Sequence, residues 1–306
     1  MLRRVLLSAA DNPAIAHLVR TQPLSRAVVR RFVAGESIED AVATTRELVA
    51  AGLTVSLDHL GEDTRDVGQA TAVTKAYLAV LRALDDEGLT GGAEVSLKLS
   101  AVGQAVDESL CLDHARQIAA AATAAGTTVT LDMEDHTTTD STLQTLAVLR
   151  RDFPGTGAVI QAYLRRSAAD IEDLIRSRAR VRLCKGAYQE PESVAFQSRK
   201  QVDLAYVRLL VRLMQDGAYP MVATHDPRLV AIAGTLAERC KRSASSYEYQ
   251  MLYGVRPDEQ RRLRAGGHRV RVYVPYGEEW YGYLMRRIAE RPANLAFFLR
   301  ALASRS

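Results

Sequence analysis

Eight polar or ionisable side chains stand at the ends of short apolar segments spread along the chain. They are Asp58, Lys98, Asp132, Gln161, Lys185, His225, Gln250 and Tyr273. Carboxylates, amines and an imidazole can bind an anion, move a proton or hold a cofactor when the fold brings them together. Each of them ends a short run of β-type residues, so we expect each at the carboxyl end of a β-strand.

The segments that must position these side chains form a regular series. The strands are predicted at residues 54–58, 94–98, 128–132, 158–161, 180–185, 221–225, 247–250 and 269–273. Amphipathic helical stretches lie between them, which predicts a βα unit repeated eight times. In a closed parallel barrel the carboxyl ends of all strands open onto one face, where such folds carry their active sites. The eight side chains are therefore expected to share one pocket.

The length of 306 residues fits one α/β barrel with a helical lead-in. We predict N-terminal helices in residues 1–53 and the barrel in residues 54–306. Ser37 and Asp40 form a capping-box variant that opens a helix before the first strand, and Thr64 predicts the start of the next helix. Hydrophobic residues make up 47% of the chain, which suits a core of aliphatic side chains between strands and helices.

Composition argues against several classes of protein. The net charge of +4 comes from arginines scattered through helices without interleaved aromatic residues, so a nucleic-acid partner is not expected. Cys111, Cys184 and Cys240 are widely spaced, which predicts neither a disulfide framework nor a Cys-based zinc site. No apolar stretch approaches the roughly 18 residues that span a bilayer. We expect a cytoplasmic protein, with peripheral association with the inner face of the membrane left open.

A helix is predicted after the last strand, over the barrel mouth. Tyr283, Arg286, Arg287 and Glu290 share one face of it, at spacings of three, four and seven. Two adjacent arginines at the mouth of a barrel can bind a carboxylate bidentately. Alternatively, the two arginines pair with nearby glutamates at the surface.

The motifs around these residues resemble, in order, those of the proline dehydrogenase family. They are TLDMED at 130–135, VIQAYLR at 159–165, VRLCKGAY at 181–188, ATHD at 223–226, EYQMLYG at 248–254, VYVPYG at 272–277, and then Trp280, Tyr283, Arg286, Arg287 and AERPAN at 289–294. The resemblance covers residues 54–294. Cys184 stands where an aliphatic residue is common in the family, and a buried thiol is a small apolar group that fits there.

The resemblance implies a distorted (β/α)8 TIM-type barrel that binds FAD non-covalently. It implies oxidation of L-proline to 1-pyrroline-5-carboxylate by hydride transfer to FAD, the first step of proline degradation to glutamate. A membrane quinone would accept the electrons. The chain resembles the monofunctional members, so a separate pyrroline-5-carboxylate/glutamate-semialdehyde dehydrogenase is expected to act next.

The resemblance also implies a role for individual residues. The catalytic residues would be Asp132 and Arg182, with Asp132 neutralising Lys98 and Arg182 stabilising the reduced flavin. The substrate would contact Lys98, Tyr273, Tyr283, Arg286 and Arg287. The cofactor would contact Met133, Gln161, Arg182, Lys185, Gly186, Ala187, Thr224 and His225. Residues 58–62 are expected to line or gate the pocket.

Other readings of the same residues stay open at this point. Lys98 and Asp132 could form a structural ion pair. Lys98 or Lys185 could form a Schiff base with a carbonyl substrate, as in aldolases. A flavin-linked reductase of the folate type or a non-catalytic binding barrel are further alternatives. A metal site at His225 is not expected, because no clustered third ligand accompanies it.

Overall fold

In the computed structural model of the chain, residues 29–290 are described, apart from the side chains of residues 286 and 288–290. All eight predicted strands are present: β1 Thr54–His59, β2 Ala93–Leu97, β3 Val129–Leu131, β4 Gly157–Gln161, β5 Arg180–Cys184, β6 Tyr219–Ala223, β7 Glu248–Leu252 and β8 Val270–Tyr276. Neighbouring strands pair in parallel in chain order, and β8 closes the sheet on β1. The predicted barrel is confirmed.

Helices follow the strands around the outside of the barrel. Within the described residues they are α1 Ile38–Ala50, α2 Val67–Asp86, α3 Glu108–Ala124, α4 Thr139–Asp152, α5 Ser167–Arg176, α6 Arg199–Gln215, α7 Pro227–Arg239, α8 Pro257–Ala265 and α9 Trp280–Glu290. Helix α1 precedes the barrel, and its capping box of Ser37 with Asp40 is present as predicted. The division of the chain at residue 53 stays a prediction.

The start of α2 differs from the prediction. Asp66, rather than Thr64, caps this helix by accepting a hydrogen bond from the backbone N–H of Gln69. The Thr64 hydroxyl donates instead to the carbonyl oxygen of Ser100 at 2.8 Å. A hydroxyl and a carboxylate two residues apart are both good caps, so the tertiary contact to Ser100 decides between them.

The strands alternate between two environments. Residues such as Val55, Leu57 and Val95 are buried on the outer face of the barrel, where they pack with the helices in the main hydrophobic core. The inner face carries polar side chains, among them Ser56 and Glu94, whose side chains hydrogen-bond at 2.7 Å. The period of two therefore separates an apolar layer outside the barrel wall from a polar interior.

Helix α9 lies at the mouth and packs against the segment that precedes α1. A second apolar cluster joins them: Val29, Phe32, Val33, Leu60, Trp280, Tyr281, Tyr283, Leu284 and Met285. The indole Nε1–H of Trp280 donates to Glu36 at 2.9 Å, and the backbone N–H of Ala34 donates to the carbonyl oxygen of Pro275 at 2.9 Å. Leu60 follows β1, so these contacts place α9 beside the mouth end of that strand.

Within residues 29–290, none of the helices combines the length and the apolar character needed to cross a bilayer.

Candidate active site

The ammonium group of Lys98 lies in the barrel mouth, one residue beyond the end of β2. Its Nζ atom donates to both carboxylate oxygens of Asp58 on β1, at 2.7 and 2.8 Å. The carboxylates of Glu62 and Asp132 are more distant, at 3.8 and 3.9 Å from Nζ. Burial opposes the positive charge, but these three carboxylates outweigh it and raise the pKa of Lys98 above its ordinary value. Lys98 is therefore a fixed cation.

Asp132 lies close enough to Lys98 to contribute to the predicted neutralisation, at 3.9 Å from Nζ, but its closest contacts are to other residues. Asp132 Oδ1 accepts from Arg182 Nη1 at 2.6 Å, and Asp132 Oδ2 accepts from the Tyr273 hydroxyl at 2.7 Å. Each oxygen of Asp132 thus has a close donor other than Lys98. The direct counter-ion of Lys98 is Asp58, to which the sequence assigned only a general place in the pocket.

Four residues from four strands form a continuous set, the mouth cluster: Lys98 and Asp132, just beyond the ends of β2 and β3, and Tyr273 and Arg182, within β8 and β5. Lys98 Nζ lies 3.5 Å from the Tyr273 hydroxyl, which donates to Asp132. The guanidinium carbon of Arg182 lies 5.2 Å from the centroid of the Tyr273 ring. Ser96 links the set from below, because its hydroxyl lies 2.8 Å from both Asp132 Oδ1 and Arg182 Nη1. The mouth cluster therefore joins two cations through one carboxylate and one phenol.

A second charged layer lies beneath the mouth cluster in the barrel interior. Glu94 Oε2 accepts from Arg180 at 2.6 Å, and Glu94 Oε1 lies 3.7 Å from both Arg182 and Arg271. Burial would raise the pKa of Glu94, but these three arginines lower it to about 2. Glu94 is therefore ionised, and the interior holds paired charges in place of the aliphatic layers common in such barrels.

The predicted cofactor residues just after β3 and at the end of β4 are buried. Met133 is 6% exposed and Gln161 is 2% exposed. The side-chain amide of Gln161 donates to the carbonyl oxygen of Glu134 at 2.7 Å, which ties the end of β4 to the loop after β3. Burial raises the pKa of the Glu134 carboxyl to about 7, although its hydrogen bonds to Ser100 oppose the shift.

The predicted cofactor residues after β6 are also fixed by neighbours. His225 Nε2 accepts from the backbone N–H of Leu252 at 2.9 Å, so the neutral ring carries its hydrogen on Nδ1. The hydroxyl oxygen of Thr224 accepts from the backbone N–H of Asp226 at 3.1 Å. These bonds hold both side chains in defined orientations at the mouth end of β6.

The turn after β5 carries Lys185, Gly186 and Ala187. Lys185 Nζ lies 2.6 Å from Asp203 and 3.2 Å from Asp226, and its side chain is 28% exposed. Gly186 has a φ of +109°, and a Cβ atom there would lie 2.4 Å from the ring of Tyr163. Only glycine allows this turn to pack so closely on that ring.

The predicted arginine pair lies on α9. Tyr283 is buried, and the guanidinium carbon of Arg287 lies 5.2 Å from the centroid of its ring. The side chain of Arg286 lies outside the described residues. The backbone of α9 places both arginines on a helix that packs beside the β1 end of the mouth, where Asp58 and Lys98 also lie.

Comparison with known proteins identifies this barrel. The family described as proline dehydrogenase matches residues 41–300 of the chain. Proline dehydrogenase 1 of Bacillus subtilis (strain 168) is 40% identical over 302 residues, which span 99% of both chains. The proline dehydrogenase of Deinococcus radiodurans is 39% identical over 307 residues, covering 99% of this chain and 98% of the relative.

The chain belongs to the proline dehydrogenase family.

The family also includes larger relatives. The bifunctional protein PutA of Escherichia coli (strain K12) is 29% identical over 90% of this chain, and the match spans 24% of PutA. The structure of proline utilization A from Bdellovibrio bacteriovorus, inactivated by N-propargylglycine, superposes with a TM-score of 0.84 at 23% identity. That match covers all of this chain and 38% of the other, and it shows the shared barrel fold.

Sequence patterns did not reveal three contacts of this family member's site. Asp58 pairs with Lys98, Ser96 bridges Asp132 and Arg182, and Glu134 binds the loop at Ser100. The period of two along β1 and β2 places Asp58 and Ser96 on the inner face, which is the signal that could have found them. Which carboxylate pairs with which cationic side chain depends on the stagger of the strands around the barrel.

Proposed function

We propose that this member of the proline dehydrogenase family oxidises L-proline to 1-pyrroline-5-carboxylate with non-covalently bound FAD. The observation that carries the proposal is the mouth cluster, which places a fixed cation, Lys98, next to a second cation, Arg182, through Tyr273 and Asp132. Lys98 suits the carboxylate of the substrate, and Arg182 suits the flavin ring, which gains negative charge when it is reduced. The cofactor, when bound, supplies the acceptor for the hydride.

The substrate carboxylate needs more positive charge than Lys98 supplies. Lys98 already faces Asp58, Glu62 and Asp132 within 4 Å, so an added anion would be repelled by their combined charge. Arg286 and Arg287 on α9 provide two further cations at this side of the mouth. We therefore assign the carboxylate to Lys98 together with these arginines, and the ring face to Tyr273 and Tyr283.

The cofactor side of the proposal rests on the character of the residues present. Arg182 is a buried guanidinium fixed by Asp132, and it would stabilise negative charge on the reduced ring. Met133, just after β3, offers an apolar surface, and Gln161, at the end of β4, offers a buried amide. Lys185 offers a cation for phosphates, the Gly186–Ala187 turn offers a glycine-containing backbone that a phosphate can approach closely, and Thr224 and His225 complete the set. This donor set fits a flavin dinucleotide.

The pKa of Lys98 argues against the Schiff-base alternative. A lysine that attacks a carbonyl must be neutral, which requires a pKa lowered towards the working pH. The carboxylates around Lys98 raise its pKa instead. Lys185 Nζ already forms ion pairs with Asp203 and Asp226, at 2.6 and 3.2 Å.

The reduced cofactor must be reoxidised, and we assign that role to a membrane quinone reached by peripheral association. The product is then passed to a separate dehydrogenase that oxidises glutamate semialdehyde. The reaction is the first step in proline catabolism.

The test is direct. Purified protein should release FAD on denaturation, and anaerobic L-proline should bleach its visible flavin absorbance while a pyrroline product appears.

Arg287→Met should raise the proline KM by roughly 100-fold, since losing one partner of a buried charge pair costs about 3 kcal/mol. The matched control is Arg261→Met on the surface of α8, which should leave the KM unchanged. Protein that carries FAD but ignores proline would refute the substrate assignment.

A further inference from the structure

Gln250 on β7 is a buried amide that the proposed reaction has so far not used. It is 4% exposed. Its Nε2 donates to Glu248 Oε1 at 2.6 Å, and its Oε1 accepts from Arg182 Nε at 2.6 Å. An ionised carboxylate can only accept hydrogen bonds, so Glu248 forces the amide nitrogen towards itself. The amide oxygen is thereby presented to Arg182.

The orientation of Glu248 is itself fixed. Arg271 Nε donates to Glu248 Oε1 at 2.7 Å, and the Tyr219 hydroxyl donates to Glu248 Oε2 at 3.2 Å. Both contacts come from strands on either side of β7. The amide of Gln250 therefore cannot turn over without losing its bond to Glu248 and setting its own N–H groups against the guanidinium of Arg182.

Gln250 holds Arg182 from the side opposite its other partners. Arg182 Nη1 donates to Asp132 and Ser96, and Nη2 donates to Ser56 at 3.4 Å, so these partners lie on β1, β2 and just beyond β3. The Nε atom donates to Gln250 on β7, two strands away from β5 on the other side of the guanidinium. Bonds to Nε and to both terminal nitrogens fix the plane of the guanidinium.

We infer that Gln250 is a positioning residue that sets the orientation of Arg182 and preserves its positive charge for the cofactor. The hydrogen-bond acceptor for Arg182 Nε is the uncharged amide oxygen of Gln250, which adds no negative charge beside the guanidinium. The carboxylates of Asp132 and Glu94 already lie 2.6 and 3.7 Å from Arg182, and a third carboxylate, at Nε, would further reduce the positive potential available to a ring that accepts hydride. The inference rests on the proposed function, in which Arg182 stabilises the reduced flavin.

The test uses Gln250→Met, which keeps the length of the side chain and removes both hydrogen bonds. The matched control is Gln260→Met on α8. Gln260 is also buried, at 3% exposed, and its amide donates to the carbonyl oxygens of Leu252 and Val255 without facing Arg182. Both variants lose two hydrogen bonds, so their thermal unfolding midpoints should fall comparably.

The two variants should differ at the flavin. Gln250→Met should shift the equilibrium for flavin reduction about tenfold towards the oxidised form, which is about 30 mV for a two-electron couple. It should slow anaerobic reduction by proline at least tenfold and change the proline KM by less than about twofold. Gln260→Met should leave the flavin potential and both kinetic parameters unchanged.

A second variant covers the case in which Gln250→Met does not fold. Gln250→Glu keeps an oxygen towards Arg182, and its carboxyl is neutral when protonated and anionic when not. Its flavin potential should therefore depart from wild type increasingly as the pH rises. A wild-type potential and reduction rate in Gln250→Met, or a Gln250→Glu potential that follows wild type at every pH, would overturn the inference. Wild-type protein that is not reduced by proline would instead refute the proposed function.

Discussion

The pairing of Lys98 with Asp58 allows a quantitative prediction. The side chains are 10% and 1% exposed, and both carboxylate oxygens accept from Nζ within 2.8 Å. Removing one partner of a buried pair typically costs 3–5 kcal/mol, because the other charge remains buried and uncompensated. Glu62 and Asp132 still lie within 4 Å of Lys98, so we expect the lower end, about 3 kcal/mol, for Asp58→Ala.

A double-mutant cycle measures the pairing itself. Asp58→Ala, Lys98→Met and the double variant are compared by urea unfolding, and we expect a coupling free energy of about 2–3 kcal/mol. The matched control is the surface pair of Arg46 and Glu87, which has the same 2.7 Å separation but side chains 54% and 45% exposed. Exposed pairs contribute about 0.2–1 kcal/mol, so its cycle should give a value in that range.

The same design distinguishes the two candidate counter-ions. Asp132 lies 3.9 Å from Lys98 Nζ, beyond hydrogen-bond distance, so the coupling of Lys98 with Asp132 should be smaller than that with Asp58. If the Lys98–Asp58 coupling were no larger than that of the surface pair, or smaller than the Lys98–Asp132 coupling, the charge arrangement described for the mouth would be wrong.

Three further predictions concern single positions. Burial raises the pKa of Glu134 from 4.5 to about 7, so the folded state binds the proton more tightly and loses about 3 kcal/mol of stability as the pH rises through this window; Glu134→Gln should flatten that decline in unfolding free energy, and parallel pH profiles would contradict this cause. Gly186→Ala should lower the free energy of unfolding by about 2 kcal/mol or more, because of its positive φ and the ring of Tyr163, whereas Gly91→Ala, in open space, should change it by less than about 0.5 kcal/mol; equal effects would remove the steric argument. Tyr273→Phe removes the hydroxyl that joins two members of the mouth cluster and should raise the proline KM about tenfold with flavin content unchanged, and an unchanged KM would place that hydroxyl outside the substrate site.

Much of the fold could be predicted because the strands obey one local rule. Each short β-type run ends on a polar side chain, and the period of two separates an apolar outer face from a polar inner face. The seventh strand, although short and polar, is present because Glu248 and Gln250 belong to the charged interior rather than to a solvent face. The long segment before β6 contains one helix, α6, in the described structure.

The sequence predicted which residues lie in the candidate site but not which of them contact one another. Strand ends must meet at the mouth of a parallel barrel, which brings Lys98 and Asp132 together. Tyr273 lies within β8, three residues before its end, so its position beside them depends on the register of that strand. The choice between Asp58 and Asp132 as counter-ion depends on differences of about 1 Å between two acids at neighbouring strand ends. Hydrogen bonds between strands that are not neighbours, such as Arg182 to Gln250, depend on the shear of the closed sheet.

In the proposed reaction, cations at the barrel mouth hold the substrate carboxylate while the amine-bearing carbon of the same ring delivers hydride to the flavin. Comparing L-proline with pyrrolidine, which has the ring amine but no carboxylate, tests it most directly. In anaerobic stopped-flow mixing, L-proline should bleach the flavin at least about 100-fold faster than pyrrolidine at the same concentration, since about 3 kcal/mol of binding to the cations is lost. Equal rates of bleaching by the two amines would contradict the account.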